Sequence, residues 1–351
     1  TRKQLRRLKP AIGIDDVWID DAAPQLDVLY FCGPRTPAGD AARAPLERLE
    51  ARIGDLLEER SFVGAVGALA AGADIVIAEQ LLEANVPLHV HLPLAPAEFL
   101  ASSVAPSGGD WRERFIACIE RAQTVEWTRR TKASRAAYRL GSRIAIGRAI
   151  RRAESLETDA FAVIALQRGR TASNSVSHES ADIWRARGLR CDCIEDDWVE
   201  TTAGPKEGGA QAYRAALIVD QPDFVLPDRL AGDKTRFAVH EGGIKIFAFD
   251  FAGEAAGAAA ALLRSGEGAK MRIWLDIGIA DDGSQAGRAA FPAALSTASC
   301  RPQTTPGKAY ASESFVNAAA AQPAGRLRFE YIGIAPTEEK LEPCPLFLVD
   351  L

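Results

Sequence analysis

Apolar runs with little polar alternation punctuate the first half of the chain. Residues 26–32 (LDVLYFC) stop at Gly33-Pro34 and read as a strand buried on both faces, as in a parallel sheet. Residues 88–92, 124–127, 161–166 and 189–194 read as further strands. Between them the apolar spacing changes to three and four: Leu46, Leu49, Ile53, Leu56 and Leu57 predict a helix over 44–59. The same spacing predicts helices over 111–122, 136–153 and 178–187. A glycine-rich turn leads into another helix ending at Glu83, and residues 2–21 read as one or two short helices. Strands alternating with helices of this length predict a doubly wound, Rossmann-like parallel sheet.

The rhythm changes after residues 201–211 (TTAGPKEGGAQ), whose Gly, Thr and Pro suit a linker. A strand over 215–220 is followed by a hairpin, 236–239 with 244–249, around Glu241-Gly242-Gly243. An alanine-rich helix over 254–263, a strand over 270–277 and a helix over 289–299 come next. A short strand at 309–311, a helix over 313–320 and strands over 327–333 and 345–351 complete the chain. This order predicts a ferredoxin-like α+β domain. The expected organisation is a helical linker (1–25), a Rossmann-like ligand-binding domain (26–200), a linker (201–212) and the α+β domain (213–351).

Composition narrows the function classes. The 351 residues allow two domains of ordinary size, and 47% hydrophobic with 25% charged residues describes a globular chain. A formal net charge of −5 argues against general affinity for nucleic acid. The basic clusters at 2–9 and 129–152 have helical periodicity and read as solvated helix faces. No run of about 18 apolar residues occurs and no signal peptide is visible, so a cytoplasmic protein is expected. The chain opens on Thr, so a preceding segment is expected. Six cysteines and four histidines show no metal-ligand spacing, so neither a metal nor a cofactor is expected. Cys191 and Cys193 would share one face of a strand as reduced thiols.

The most informative segment is 64–79, GAVGALAAGADIVIAE. Its small residues, Gly67 and Gly72 among them, would let backbone approach a ligand just before a helix starts. A helix N-terminus favours an anion through its free N–H groups and dipole. Asp74 and Glu79 lie close by and could accept hydrogen bonds from a ribose or a base. A tight turn packed with small residues explains the same pattern. Gly33-Pro34-Arg35 offers a second phosphate contact, since arginine can pair bidentately with phosphate; an ordinary surface arginine is the alternative.

Residues 26–195, and above all Gly67–Asp74 with Glu79 and 88–93 followed by Glu98-Phe99, resemble the SLOG superfamily. These are Rossmann-like domains related to LOG (lysine-decarboxylase-like) proteins and DNA-processing proteins. The resemblance implies a nucleotide-derived ligand over the C-terminal strand ends. The second glycine-rich motif of the LOG enzymes, with its Thr and catalytic Glu, has no full counterpart. Residues 167–171 (QRGRT) keep a Gly and a Thr only. Binding without hydrolysis is the reading taken, with no catalytic residue assigned. A nucleotide hydrolase using Glu79 or Asp74 as general base is the alternative, and an adaptor without ligand is a third.

Residues 271–278 (MRIWLDIG), 304–315 (TTPGKAYASESF) and 329–333 (FEYIG) resemble class III nucleotide cyclases, with 216–220 (ALIVD) as the first strand. Cyclisation needs two metal ions on two carboxylates and an Asn–Arg pair at the ribose and developing charge. Asp220 falls at the first carboxylate position. Gly242 stands where the second belongs, although Glu241, one residue away, could substitute. The Asn–Arg positions fall on Leu295 and Ser296. The stretch between Asp220 and the hairpin carries Pro222 and Pro227 and is too short for the two helices that cover the triphosphate. The resemblance therefore implies a degenerate cyclase acting as a regulatory or dimerisation surface. It also implies a homodimer and neighbouring tetratricopeptide or other domains in a longer bacterial chain.

Overall fold

The computed structural model describes residues 2–23, 26–128, 132–199, 211–227, 235–241, 243–281, 289–290, 304–323, 327–335 and 344–350. Two compact units emerge. The first comprises Thr1–Leu92, Phe99–Glu126 and Arg148–Gly204; the second comprises Pro93–Glu98, Trp127–Gly147 and Pro205–Leu351.

In the first unit, α1 (Arg2–Ile12) and α2 (Asp16–Ala22) precede a six-stranded sheet. Its strands are β1 (Asp27–Cys32), β2 (Phe62–Gly67), β3 (Leu88–Leu92), β4 (Thr124–Trp127), β5 (Ala160–Gln167) and β6 (Arg190–Asp196). They lie in the order β4-β3-β2-β1-β5-β6. β1 pairs in parallel with β2 and β5, β2 with β3, and β5 with β6. The chain steps outward from β1 to β4, then crosses to β5 on the other side. Strand order thus reverses between β1 and β5, which makes the crevice beyond their carboxyl ends the topological switch point.

The helices are α3 (Asp40–Glu59), α4 (Ala73–Glu83), the turn α5 (Pro96–Phe99), α6 (Trp111–Arg121), α7 (Arg135–Leu156) and α8 (Val176–Ala186). Residues of α4 are buried around most of its circumference, among them Ile75, Val76, Ile77 and Leu81. That burial accounts for an apolar stretch without an amphipathic stripe. β2 corrects the sequence expectation: residues 62–67 (FVGAVG) were expected to be a turn. Gly64 and Gly67 weaken the strand signal, but hydrogen-bonded neighbours on both sides outweigh low propensity in a central strand.

The second unit is built on a sheet ordered β13-β14-β12-β10-β7-β9-β8, with β11 paired to β10. The strands are β7 (Gln211–Val219), β8 (Thr235–Glu241), β9 (Ile244–Phe249), β10 (Ile273–Asp281), β11 (Ala289–Ala290), β12 (Ala309–Ser312), β13 (Arg328–Ala335) and β14 (Cys344–Asp350). β9 and β10 both run antiparallel to β7, one on each side. They are joined through α9 (Ala252–Arg264), which makes a split βαβ unit of the ferredoxin-like kind. α10 (Glu313–Ala320) is capped by the Ser312 hydroxyl, which accepts from the Phe315 amide at 3.1 Å.

Alternation explains the two cores of this sheet. Ala215, Leu217 and Val219 meet Phe247, Phe249, Ile273, Leu275 and the alanines of α9, while Ala216 and Ile218 join Ile246, Ala248, Trp274 and Tyr310 on the opposite face. The mixed architecture matches the fold class read from the sequence. The expected helix over 289–299 is corrected at its start, where Ala289–Ala290 pairs antiparallel with β10; the rest lies outside the described residues. Among the described residues, no helix is long and apolar enough to cross a membrane.

Candidate functional site

The carboxyl end of β1 is where the predicted residues converge. The loop after β1 is laced to the loop after β2: the Thr36 amide donates to the Ala71 carbonyl at 3.0 Å, and Arg35 and Gly72 form an antiparallel bridge. A third strip comes from the π-helical turn Leu100–Val104 and the residues after it. The Arg35 guanidinium donates to the Ser102 carbonyl at 3.1 Å, and the Ala71 and Ala38 amides donate to Ser103 and Ser107. π-helical turns are rare and cluster at functional sites. Gly33, Arg35, Gly67 and Gly72 are therefore brought together at the edge the sequence pointed to.

What faces the glycines is protein. A side chain at Gly33 would meet the Ala73 Cβ at 2.4 Å and the Ala165 Cβ at 2.9 Å. One at Gly67 would enter the Phe31 ring, with the nearest atom at 2.5 Å. Gly72 has φ +106° and ψ −126°, and a Cβ there would lie 2.4 Å from the Thr36 hydroxyl and 2.8 Å from its backbone nitrogen. These absences of a side chain let elements of the first unit approach each other.

Asp74 follows the same logic. It is 4% exposed, and its two oxygens accept from the Gly33 amide at 2.7 Å and the Ala70 amide at 3.1 Å. It clamps the loops after β1 and β2. Burial pushes its carboxyl up to about 7, with the Ala70 and Gly33 amides pulling the other way. Cys32, beside it, is pushed up to about 12 by burial and by the Asp74 charge. Sequence reasoning offered Asp74 to a ribose or a base, and gave the backbone of 67–72 to phosphate. Instead, both carboxylate oxygens and the Ala70 and Ala71 amides are spent inside the unit.

Glu79 is taken elsewhere. It lies six residues past the start of α4, about 9 Å along the helix axis. There it forms a bidentate pair with Arg114 of α6, whose guanidinium stacks over the Trp111 ring at 4.3 Å. Each oxygen of the two carboxylates considered as a general base thus already accepts one hydrogen bond from the protein.

The loops after β1 and β5 hold the residues that sequence reasoning passed over. The Thr36 hydroxyl is fully buried and has no hydrogen-bond partner among the described residues. Leaving such a group unpaired costs about 1–3 kcal/mol. Across the switch point, the residues after β5 form a tight polar turn: Thr171 N donates to Asn174, and Ser175 caps α8 by accepting from His178. Nothing in the sequence marks Thr36, because its isolation exists only once three loops close over it.

In the second unit, Asp220 follows β7 directly, with its side chain 10% exposed. One oxygen accepts from the Arg272 amide at 2.9 Å, and the other takes the Arg272 guanidinium at 3.2 Å. Arg272 also reaches the Thr304 carbonyl at 3.0 Å. A cation of this protein's own thus occupies the carboxylate offered to a metal. Glu241 ends β8, where it pairs with Ile244 of β9. Gly242, Leu295 and Ser296 lie outside the described residues. Among the described residues, no group of three or more His, Cys, Asp or Glu could hold a metal ion.

No family model matches the chain, and no curated protein matches it. Among solved structures, the guanylate cyclase domain of RhGC from Catenaria anguillulae in complex with GTP aligns at a TM-score of 0.28 and 12% identity, over 39% of this chain and 96% of that one. The guanylyl cyclase Cya2 aligns at 0.27 and 13%, over 40% and 93%. The adenylyl cyclase CyaB from P. aeruginosa aligns at 0.26 and 9%, over 40% and 95%. About two fifths of this chain is thus similar to nearly the whole of each of these cyclase structures, at 9–13% identity.

Proposed function

We propose that this protein is a non-catalytic module that binds a nucleotide or nucleotide derivative through its SLOG-like part and carries a degenerate cyclase-like part for regulation or dimerisation. The proposed domains are 26–200 and 213–351. The observation that carries the non-catalytic half is the clamp on Asp220. A two-metal reaction needs carboxylates free to bind cations, and here Arg272 supplies both the amide and the guanidinium that hold this one.

The ligand-binding half rests on the orphaned Thr36 hydroxyl at the switch point, next to Arg35, which a ligand would reach when the loops closed over it part. A bound polar group would remove the cost of burying that hydroxyl unpaired. With the amides of 70 and 71 committed, the contacts proposed for the ligand shift to Thr36, Arg35 and the turn after β5. The packing around Gly33, Gly67 and Gly72 favours a second reading, an adaptor in which those glycines serve closure alone.

Two experiments separate these readings. Protein purified without added nucleotide, then denatured, is expected to release an ultraviolet-absorbing species identifiable by mass spectrometry. Thr36→Val is expected to lose that species while keeping the parent circular-dichroism spectrum, since valine matches the shape without the hydroxyl. A Thr36→Val protein that binds nucleotides as the parent does, or a parent that releases nothing and binds none by calorimetry, selects the adaptor.

For the second unit, no cyclic nucleotide is expected from ATP or GTP with Mg²⁺ or Mn²⁺. Arg272→Ala leaves Asp220 without its cation and is expected to destabilise this unit by about 1–3 kcal/mol without creating activity. Cyclase turnover above a heat-killed control, abolished by Asp220→Ala, would overturn the non-catalytic reading.

A further inference from the structure

Among the described residues, β6 is the edge strand of the first sheet and is paired with β5. Cys191 and Cys193 lie two residues apart on it and so project from one face. Their sulfurs are 3.1 Å apart, and both residues are partly exposed. Arg185, in the last turn of α8, places Nη2 at 3.4 Å from the Cys193 sulfur, and Arg185 is itself more than half exposed.

We propose that Cys191 and Cys193 form a reversible dithiol oxidation site, in which Cys193 reacts with a hydroperoxide and Cys191 closes a disulfide onto it. The Cys193 thiolate attacks one peroxide oxygen; the O–O bond breaks, Cys193 becomes a sulfenic acid, and the departing oxygen takes up a proton to leave as an alcohol or water. The Cys191 sulfur then attacks the Cys193 sulfur. An S–S bond forms, the S–O bond breaks, and the hydroxide leaves as water with the proton of Cys191. Two thiols and one hydroperoxide give one disulfide, one alcohol or water from the peroxide, and one further water.

The assignment of roles follows from the surroundings. The hydrogen bond from Cys191 holds the Cys193 thiol below its ordinary value, and the Arg185 guanidinium adds to the effect against burial and the Asp192 charge. The hydrogen bond to Cys193, burial and the charges of Cys193 and Cys32 push the Cys191 thiol upward, with Arg185 pulling the other way. A thiolate next to a guanidinium is the reactive form, and the protonated neighbour waits as the resolving thiol. Cys118 is the internal contrast: it is buried, and burial pushes it up to about 12.

Geometry also sets how the disulfide behaves. Residues two apart on an extended strand have Cα atoms about 6.6 Å apart, close to the upper end of what a disulfide spans. β6 must shorten locally to close the bond, which an edge strand with one free side can do. A bond formed under that constraint is easily reduced, so the dithiol is the resting form.

The test uses the full chain and hydrogen peroxide, followed by alkylation of remaining thiols and peptide mass mapping. Before peroxide, Cys193 is expected to alkylate at least about tenfold faster than Cys118. After brief exposure, the peptide holding Cys191 and Cys193 is expected to have lost two hydrogens and both alkylation sites, and a dithiol reductant restores them. Cys191→Ser is expected to leave a sulfenic acid at Cys193 that a 1,3-dicarbonyl reagent traps. Cys193→Ser is expected to leave Cys191 untouched. The proposal fails if Cys193 alkylates after peroxide as before, or if it passes to the sulfinic acid in the parent as readily as in Cys191→Ser. Should a serine variant not fold, the mapping of the parent alone decides.

Discussion

Replacing Gly72 with alanine is expected to destabilise the first unit by about 3 kcal/mol, a loss of roughly 6–12 °C in melting temperature for a unit of this size. Two costs add. At φ +106° and ψ −126° only glycine is unstrained. The new Cβ would also stand 2.4 Å from the Thr36 hydroxyl, 2.8 Å from its backbone nitrogen and 3.0 Å from the Pro34 carbonyl. The hydroxyl can rotate away, but the two backbone atoms cannot move without unlacing the loops after β1 and β2. Valine would be worse than alanine. The sequence offered Gly72 as a place where backbone could approach a ligand; in the structure the space beside Gly72 is filled by Thr36. Thermal melts of parent and Gly72→Ala, followed by near-ultraviolet circular dichroism, decide the matter; an unchanged midpoint would mean the loops do not close as described.

The second large effect belongs to Asp74. Removing its carboxylate in Asp74→Ala leaves the Gly33 and Ala70 amides without acceptors, at an expected cost of about 3–5 kcal/mol for the pair. A pH dependence goes with it. An aspartate in the unfolded chain titrates near about 3.9, whereas Asp74 in the folded protein is pushed up to about 7 by burial. Between these values the folded state holds a proton that the unfolded state has released. Its contribution to stability is therefore fully present below about pH 4 and falls as the pH rises toward 7, by at most roughly 4 kcal/mol. Asp74→Asn removes the titration, but its amide nitrogen must face one of the two N–H donors, so that variant starts less stable. Urea unfolding from pH 5 to pH 8 should show a falling difference between parent and Asp74→Asn. Parallel curves would place Asp74 in water rather than in the clamp.

These two residues also explain why the site was only partly legible. The glycines and Asp74 of 64–79 were correctly singled out as a place where backbone comes close to something. Whether that something is a ligand or another loop is a question of which atoms arrive from elsewhere in the chain. Thr36 lies 36 residues before Gly72, and Ser103 lies 31 after it. No local pattern announces either. The same holds for Glu79: its spacing from Asp74 suggested a shared pocket, but five residues on a helix is an advance of about 7.5 Å with a rotation away. Arg114 on α6 then captures the carboxylate.

Periodicity decided the elements. Apolar runs without alternation marked strands covered on both faces, and three-to-four spacing marked α3, α6, α7 and α8 within a few residues of their observed ends. The Ala-rich α9 and the serine-capped α10 were readable because propensity and capping are local. Where local propensity and tertiary demand disagreed, the sequence misled: residues 62–67 have a turn-like glycine content, yet β1 and β3 on either side hold them as the central strand β2. Strand order, the switch point between β1 and β5, the clamp of Asp74, the seizure of Asp220 by Arg272 and the arginine beside Cys193 were decided by tertiary structure alone. Each depends on bringing together residues far apart in the chain, and hydrophobic patterning specifies which faces are buried without specifying which partner buries them.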